Sequence, residues 1–505
     1  MDATKSSFVV FSGGSACNHI LNAFHKTASN DVSYILGISD NGGSTSELLR
    51  VLGGPSVGDL RSRLIRLMDT LDENTSKEMK AIKDLLSYRL PANQHEQKVR
   101  DEWALIVEGR HSLWNDISVE KREAIRGFLT LFDFEILKRA HKRFNFCNGS
   151  IGNFFLTGAR LFTGSLEAAI FLFASITGIT SVPTSVVPVI NTNQTATIAA
   201  SLINGETLVG QCEISHPSPY QRGSCTPKKK RTNPIDAFSY FDEPNVTVIN
   251  DDLLNANLFF SKCVEEKLTS PIKRIYYINE YGQEIYPVPN PKVVSQLSSK
   301  KSLIYSIGSL YTSLIPCLTL RSVGNAISQS QSLKHKILLL NGTNDRETSD
   351  YSALDFINAI KAALIESQRI DARRAFYQSC DVQPSLELDM EAADDGSISS
   401  INTPPSSYGM NYRMTNMAIG SVPGSPSHRY PPFPDHSFYP SPVSSFITHM
   451  IYLDNSAIKV DVDAIERLGI KCVRMAGSYS ASGEPIYNEA VFNETVENIV
   501  NSPQK

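Results

Sequence analysis

A repeated local unit constrains the fold more than any other feature of this sequence: a short apolar strand runs into a glycine-rich turn and then into a helical pattern. In the first copy, the strand Ser7 to Ser12 leads into Gly13-Gly14-Ser15 and an apolar-periodic stretch. In the second copy, the strand Ser33 to Ser39 leads into Asp40-Asn41-Gly42-Gly43-Ser44-Thr45, and a helix can begin near Glu47. Units of this kind predict parallel strands that are joined by right-handed helical crossovers.

Further apolar runs extend this pattern along the chain. Several are apolar throughout, as expected for strands that helices cover on both faces, and helical patterns separate many of them. We therefore predict an α/β fold that is Rossmann-like and doubly wound, with a mainly parallel sheet and inserted loops. The further predicted strands are Ser185 to Ile190, Thr197 to Ile203, Arg274 to Asn279, Ser302 to Ile307, Lys336 to Asn341, Phe446 to Leu453 and Ile470 to Met475.

Two stretches lack the apolar periodicity of a core and define the predicted domain organisation. Residues 381–445 are rich in Ser, Pro and Gly, which predicts a disordered or loosely ordered insert. An insert at about 213–270 carries the basic run Lys228 to Arg231. For this run, a solvated loop and a patch for polyanions or nuclear import both stay open. We predict one α/β nucleotide-binding core over residues 1–380, which a C-terminal α/β segment over residues 446–505 completes.

The charge balance argues against nucleic acid and membrane as general partners. The chain has 48 Lys and Arg, 52 Asp and Glu, and a formal net charge of −4, so any phosphate recognition must be local. The eight cysteines form no CxxC pair and no Cys/His cluster at zinc spacing, which predicts reduced, mostly structural thiols. Because no apolar leader and no unbroken apolar span is present, we expect a cytoplasmic protein.

Three polar glycine loops in the first part of the chain are candidates for ligand binding. The glycines of Gly13-Gly14-Ser15 allow a phosphate to approach the backbone at a helix N-terminus. Asp40, at the head of the loop Asn41-Gly42-Gly43-Ser44, can hold Mg²⁺ against phosphate oxygens, accept a hydrogen bond from a substrate hydroxyl, or only cap the following turn. Asp59 and Arg61 can bind a polar ligand, since Arg61 suits a phosphate or carboxylate group, or can pair with each other.

Three further loops add to this set. Asn153, in NGSIGN at a helix start, offers both a donor and an acceptor. Gly308, Ser309 and Thr312 follow a predicted buried strand and indicate an anion nest. Asn341 opens an Asn-Gly-Thr-Asn loop whose amides suit a base or a sugar. Because loops at the carboxyl ends of parallel strands can share one crevice, the set predicts a nucleotide site, although P-loop spacing, the GxGxxG fingerprint and a GxSxG elbow are missing.

In this order, the motifs resemble those of the CofD-like family, which comprises 2-phospho-L-lactate transferases and YvcK-type gluconeogenesis factors, and the gluconeogenesis factors are the nearer branch. The resemblance covers Phe8 to about Gln368 and resumes from about Phe446. The motifs are SGGSACNHIL (Ser12 to Leu21), ISDNGGSTSELLR (Ile38 to Arg50), GDLRSRL (Gly58 to Leu64), NGSIGNFFLTGA (Asn148 to Ala159), GSLYTSLIPCL (Gly308 to Leu318) and NGTNDRET (Asn341 to Thr348).

The resemblance implies a Rossmann-like sheet that binds a nucleoside-diphosphate-type ligand. In the transferase branch, the enzyme moves a phospholactyl group from a lactyl-diphospho-guanosine donor to a deazaflavin precursor with Mg²⁺, whereas YvcK-like relatives are similar to UDP-sugar binders with a regulatory role. The residues that the resemblance implies are Gly13, Gly14 and Ser15 for phosphate contact, Asp40 for the metal or acceptor, and Asn153, Ser309 and Thr312 for the rest of the ligand.

The chain departs from the family pattern at three places. Asn41 stands where the family often has a second acid, Ser306-Ile307 replace a Gly-Pro pair, and Gly149 stands where the bacterial branch tends to have His. Two hypotheses therefore stay open, a transferase of phosphate-linked groups with a role in carbon metabolism and a nucleotide-sugar sensor without turnover. The missing dinucleotide fingerprint disfavours a dehydrogenase. Expected partners are a nucleotide or nucleotide-sugar and Mg²⁺, with a homo-oligomer left open and neither nucleic acid nor membrane expected.

Overall fold

The computed structural model describes residues 6–14, 16–27, 31–70, 76–139, 141–181, 184–216, 267–379 and 432–502. Their contacts divide the chain into two units. The larger unit is formed by Met1–Asp371 and Pro440–Lys505 and holds the sheets and the candidate site. In the smaller unit, Ala372–Tyr439, the described residues are its two ends, where Phe376 packs edge-to-face on Phe433 with ring centroids 5.7 Å apart.

Seven parallel strands form the central sheet of the larger unit. The described strands are, in chain order, β1 (Phe8–Ser12), β2 (Val32–Leu36), β3 (Thr184–Pro188), β4 (Thr197–Leu202), β5 (Thr207–Val209), β6 (Ile272–Ile278), β7 (Glu284–Ile285), β8 (Ser302–Tyr305), β9 (His335–Leu339), β10 (His449–Leu453), β11 (Lys471–Met475), β12 (Gly477–Tyr479) and β13 (Pro485–Tyr487). The central sheet has the order β11-β10-β9-β8-β1-β2-β3. All residues of β1, β2, β8 and β9 are buried, as strands between two helical layers must be. The predicted doubly wound, Rossmann-like fold is confirmed.

Helices follow most of these strands. The described α-helices are α1 (Leu21–Thr27), α2 (Ser44–Leu52), α3 (Gly58–Leu67), α4 (Lys77–Ser87), α5 (Glu96–Val107), α6 (Val119–Leu137), α7 (Ile151–Thr163), α8 (Leu166–Ile176), α9 (Gln211–Ser215), α10 (Pro291–Ser299), α11 (Ile315–Leu318), α12 (Val323–Ser328), α13 (Ala353–Ser379), α14 (Val462–Glu466) and α15 (Glu489–Asn501). A π-helical turn, Leu310–Leu314, precedes α11. Across the described ranges, none of the helices has the length and apolarity to cross a membrane.

A cluster of aromatic rings joins the helices that lie between β2 and β3 in the chain. Trp103 of α5 packs edge-to-face on Phe154 of α7 with centroids 5.1 Å apart, and Phe132 of α6 stacks on Phe154 at 4.5 Å. Nε1 of Trp103 also donates to Oδ1 of Asp133 over 2.8 Å. Aromatic pairs of this kind contribute about 0.5–1.5 kcal/mol beyond their buried area. The cluster therefore fixes the first turns of α7, which enter the candidate site.

Two of the predicted strands belong to a different sheet from the expected one. β4 and β6 pair antiparallel in a four-stranded sheet of order β5-β4-β6-β7, so the prediction of parallel pairing was wrong for them. An apolar run in the sequence is compatible both with a strand that is covered on both faces and with a strand that has one partly exposed face. In β6, Lys273 and Arg274 are exposed, whereas Ile272 and Ile275 are buried. The small sheet lies between β3 and β8 in the chain and carries α9 directly after β5.

The segment after residue 445 contributes two strands to the central sheet. β10 pairs with β9, and β11 forms the edge. Helix α15 packs against α1, where Phe492 meets Phe24 edge-to-face with centroids 5.4 Å apart. Of the insert expected at 381–445, residues 381–431 lie outside the described residues, and so does the basic run at 228–231.

The cysteines of the described residues are free thiols, in agreement with the prediction of reduced cysteines. They are Cys17, Cys147, Cys212, Cys317 and Cys472. Burial raises the pKa of Cys317 and raises that of Cys212 to about 12, so neither thiol is ionised near neutral pH. The other three cysteines, Cys225, Cys263 and Cys380, lie outside the described residues.

Candidate functional site

The order of the central strands changes direction between β1 and β8, which is where a crevice is expected in such a sheet. From β1 the chain proceeds to β2 and β3 on one side, and from β8 it proceeds to β9, β10 and β11 on the other. In open parallel sheets, ligands bind at such a switch point, outside the carboxyl ends of the strands. Because all seven strands are parallel, the turns after β1, β2, β8 and β9 reach the same edge. These are the turns in which the sequence analysis placed most of its site residues.

The glycine turn after β1 is in close contact with protein groups on two sides. A Cβ atom at Gly13 would lie 2.6 Å from Oγ of Ser313, and one at Gly14 would collide with Oδ1 of Asp59. Glycine is therefore required here because the turn touches the start of α3 and the turn after β8. The third residue of the predicted motif, Ser15, lies outside the described residues.

Asp40 and Asp59 form a pair of acids at the floor of the crevice. Oδ1 of Asp40 accepts a hydrogen bond from Gly42 N over 2.9 Å, so Asp40 does cap its own turn. Burial raises the pKa of Asp40. Burial and the neighbouring charge of Asp40 raise the pKa of Asp59 to about 7, against the opposing effect of Arg63 and Arg61. Near neutral pH, the pair is therefore poised to take up or release a proton.

Arg61 places a cation beside this acid pair, and Arg89 lies close to Arg61. Burial and the charge of Arg89 lower the pKa of Arg61 to about 10, while Asp59 acts in the opposite direction. Nε of Arg61 is buried without a hydrogen-bond partner. Arg89 is an exposed residue at the rim whose guanidinium is partly shielded from water, which lowers its pKa. Two cations this close repel each other, so the arrangement is suited to an anion that binds both.

Backbone pairing fixes Arg89 at the start of α7. Arg89 and Ser150 form an isolated antiparallel bridge, in which Leu90 N donates to Gly149 O over 2.9 Å and Ile151 N donates to Tyr88 O over 3.1 Å. Nη1 of Arg89 then reaches Asn148 O at 3.2 Å. The long connection between α4 and α7 therefore brings a cation to a helix N-terminus.

The N-termini of α2 and α7 meet at the same place. Nδ2 of Asn153 donates to Oγ of Ser44 over 2.9 Å. Neither Gly43 nor Ser150, the residues that precede the two helices, provides a side-chain cap. Oγ of Ser150 and Oδ1 of Asn153 are buried and have no hydrogen-bond partner. Two positive helix ends, the unpartnered Ser150 hydroxyl and the cations Arg61 and Arg89 thus lie together, an arrangement that suits an anion.

The turn after β8 differs from the predicted anion nest because its donors are already used. Tyr311 N and Thr312 N donate to Oε2 of Glu347 over 2.9 and 3.1 Å, and the Thr312 hydroxyl also donates to this carboxylate. Gly308 has a φ of 142° and is held by Asn341, whose Nδ2 donates to Gly308 O over 2.8 Å. Ser309 precedes the π-helical turn and provides no side-chain cap. Thr312 and Asn341 therefore have internal partners at this turn.

Asn41 is engaged by the helix that follows β5. Its Oδ1 accepts from Cys212 N over 2.9 Å, so its amide caps the first turn of α9. Within the described ranges, no cluster of three or more His, Cys, Asp or Glu side chains can hold a metal ion. Any Mg²⁺ at Asp40 therefore depends on Asp59 and on oxygens that a ligand supplies, which is how Mg²⁺ is commonly held by phosphate-binding proteins.

Sequence reasoning missed two residues of this crevice, Arg89 and Glu347. Arg89 follows α4 in a stretch without a glycine motif, and it reaches the site only through the long-range bridge to Ser150. Glu347 lies inside the Asn341 to Thr348 motif, but three of its four donors come from the turn after β8 and the fourth is Ser215 of α9. Neither residue had a local signal in the sequence.

The chain is similar to proteins of one family along most of its length. The family model for 2-phospho-L-lactate transferase CofD matches residues 8–385. The uncharacterized protein YNL011C of Saccharomyces cerevisiae is 35% identical over 513 residues, which cover 96% of this chain and 98% of that protein. A Nostoc sp. protein named "Putative gluconeogenesis factor" is 39% identical over 87 residues, or 17% of this chain and 19% of that protein. The crystal structure of a UPF0052 family protein from Bacillus halodurans shares the fold, with a TM-score of 0.53 and 14% identity over 99% of both chains.

Proposed function

The chain belongs to the 2-phospho-L-lactate transferase CofD family, and we propose that it binds a nucleoside-diphosphate or nucleotide-sugar ligand in the crevice at the carboxyl ends of the central strands. The diphosphate lies between the N-termini of α2 and α7, beside Arg61 and Arg89. One observation carries this proposal: the buried Oγ of Ser150 and Nε of Arg61 lack partners at a junction of two positive helix ends. A phosphate group supplies the missing acceptors and negative charge.

Asp40 and Asp59 complete the proposed site on its acidic side. Mg²⁺ is usually bound by one or two carboxylates together with substrate phosphates, so this pair fits the cofactor that the sequence predicts. When bound there, the ion supplies positive charge to phosphate oxygens. In the alternative role, without a bound metal, Asp40 is the proposed acceptor for the proton of an attacking hydroxyl, and the raised pKa values of both acids suit that role near neutral pH. The remaining predicted contacts are Gly13, Gly14, Gly42, Gly43, Gly308 and Ser309.

The reaction that we propose is transfer of a phosphate-linked group of the phospholactyl type, within carbon metabolism in the cytoplasm. Positioning and electrostatic stabilisation supply most of the catalysis in such reactions, and the crevice offers groups for both. The second candidate is a regulatory protein that binds a UDP-sugar without turnover. It is favoured by Asn41, which caps α9 and adds no second carboxylate next to Asp40. Both candidates use the same phosphate site.

Isothermal titration calorimetry with GDP, GTP and UDP-sugars, each with and without Mg²⁺, tests the binding proposal. Thermal denaturation provides a second measurement, because a ligand at about 100 times its Kd stabilises the folded state by about 2.7 kcal/mol. Binding of any of these nucleotides supports the proposal, and the failure of all of them contradicts it. Incubation with a lactyl-diphospho-guanosine donor and acceptor alcohols then distinguishes a transferase from a regulatory binder, because transfer breaks the diphosphate bond and releases the nucleoside monophosphate, which mass spectrometry detects.

A further inference from the structure

The carboxylate of Glu347 occupies the place at the turn after β8 where the sequence predicts an external anion. Glu347 is 3% exposed. Its Oε2 accepts from Tyr311 N over 2.9 Å and from Thr312 N over 3.1 Å, and its Oε1 accepts from Oγ of Ser215 over 2.6 Å. The Thr312 hydroxyl is the fourth donor. Successive backbone N–H groups of this kind form a nest for an anion, and here the anion belongs to the chain itself.

The four donors come from two segments that are distant from Glu347 in the chain. Tyr311 and Thr312 belong to the π-helical turn after β8, and Ser215 ends α9. Glu347 is itself held by Asp345, whose Oδ1 accepts from Glu347 N over 3.0 Å and from Thr348 N over 3.1 Å. The other end of α9 is tied to Asn41 after β2. Glu347 therefore closes a chain of contacts that runs around the crevice from the turn after β9 to the turn after β2.

We propose that Glu347 is a positioning residue of the ligand site: its carboxylate fills the nest after β8, fixes α9 and two strand-end turns around the crevice, and leaves the junction of α2 and α7 as the place for the ligand's phosphate. A phosphate next to Glu347 would find the N–H groups already paired. It would also meet a like charge whenever the carboxylate is ionised, and burial and the charge of Asp345 raise the pKa of Glu347 to about 7. The part of this inference that concerns the ligand rests on the proposed function. The part that concerns the nest does not.

Removal of the carboxylate tests the nest without any nucleotide. In Glu347→Ala, the N–H groups of Tyr311 and Thr312 lose their acceptor, and a small carboxylate from solution can replace it. We expect Glu347→Ala to lose thermal stability and to regain part of it in sodium formate relative to sodium chloride at equal ionic strength. Wild-type protein and the control Glu213→Ala, which removes an exposed carboxylate from α9, should show no such difference. A folded Glu347→Ala protein without a formate-specific gain would overturn the nest.

A second variant covers the case in which Glu347→Ala does not fold. Glu347→Gln keeps one oxygen for the two N–H groups, and its amide can donate to the hydroxyls of Ser215 and Thr312. We expect this variant to fold and to bind nucleotide with an affinity within about threefold of that of wild type. Positioning requires that the nest is filled by a hydrogen-bonding side chain, and it does not require the negative charge. A folded Glu347→Gln protein that loses nucleotide affinity by more than about tenfold would overturn the positioning role. If wild-type protein binds no nucleotide, the proposed function fails while the formate experiment still decides the nest.

Discussion

Nδ2 of Asn153 donates a hydrogen bond to Oγ of Ser44 over 2.9 Å, and this contact joins the first turn of α7 to the first turn of α2. The two residues are 109 positions apart in the chain. Each helix has a partial positive charge at its N-terminus, so their meeting point favours a negatively charged group. Ligand binding in the proposed site depends on this junction and on Arg61 and Arg89 beside it.

A negative charge at the junction should weaken phosphate binding. Asn153→Asp keeps the size of the side chain but repels a phosphate and removes the donor to Ser44. We expect the affinity for a nucleoside diphosphate to fall by about 10-fold to 100-fold, the range of a hydrogen bond to a charged group. The matched control is Asn115→Asp at an exposed position. Calorimetry measures both variants, and equal affinity in Asn153→Asp and wild type would speak against the junction.

Loss of the cation at the rim should have a comparable effect. Arg89→Met removes the charge and the donors while it keeps a long apolar stem. We expect a fall in nucleotide affinity of about 10-fold or more and a weaker dependence of affinity on salt. Arg110→Met is the control, since the Arg110 side chain is 68% exposed and forms an ion pair with Glu108. If the two arginine variants lose the same amount, nonspecific electrostatics explains the binding better than a contact at Arg89.

The close contact at Gly14 predicts a large difference between two glycine substitutions. A Cβ at Gly14 collides with Oδ1 of Asp59, whereas a Cβ at Gly127, inside α6, meets nothing within 4 Å. We expect Gly14→Ala to destabilise the protein by about 1–3 kcal/mol through overpacking. Gly127→Ala should stabilise it by up to about 1 kcal/mol through helix propensity. Chemical denaturation measures both, and a neutral Gly14→Ala would mean that the turn after β1 is not held against α3.

The raised pKa of Asp59 predicts a pH-dependent gain in stability when the acid is replaced. In the folded state its pKa is about 7, above its ordinary value, so the folded protein holds the proton more tightly than the unfolded chain does. The stabilisation is present at acid pH and is lost as the pH rises through about 7. The difference in free energy of unfolding between Asp59→Asn and wild type should therefore grow by at least about 1 kcal/mol, in favour of the variant, from pH 5 to pH 8. Denaturant unfolding at both pH values measures the gain, and a pH-independent difference would contradict the raised pKa.

The substitution Asp59→Asn, which should stabilise the fold, should weaken Mg²⁺-dependent nucleotide binding. Asp59→Asn and Asp40→Asn each leave one carboxylate for Mg²⁺, so the Mg²⁺-dependent part of nucleotide affinity should disappear while the Mg²⁺-independent part remains. This combination of greater stability and weaker function is expected where a site holds like charges together.

The central fold could be predicted because each of its strands is marked by residues that are close together in the chain. Each strand of the central sheet is a short apolar run beside a polar turn, and βαβ connections allow few arrangements. Two strands of the small sheet, β4 and β6, were wrongly expected to pair in parallel, because pairing direction is not encoded in an apolar run. Helices α4 to α6 pack largely on α7 and on one another, so no strand-turn-helix unit marks them.

The candidate site could be predicted in its position but only partly in its chemistry. Gly13 and Gly14 lie after β1, as predicted. Their close contacts with Ser313 and Asp59 are enough to explain why glycine is needed at both positions, with or without a bound phosphate. Asn41, Thr312 and Asn341 have internal hydrogen-bond partners that lie far away in the chain. Arg89 and Glu347 act through contacts made only in the folded protein, for which a sequence motif offers no signal.

A crystal structure of the chain with a bound nucleoside diphosphate or UDP-sugar tests the account most directly. We predict phosphate oxygens within hydrogen-bonding distance of Arg61, Arg89 and the first-turn N–H groups of α2 and α7, with the Glu347 carboxylate still bound to Tyr311 N and Thr312 N. A diphosphate that binds instead at the turn after β8, with Glu347 displaced, would contradict the central claim.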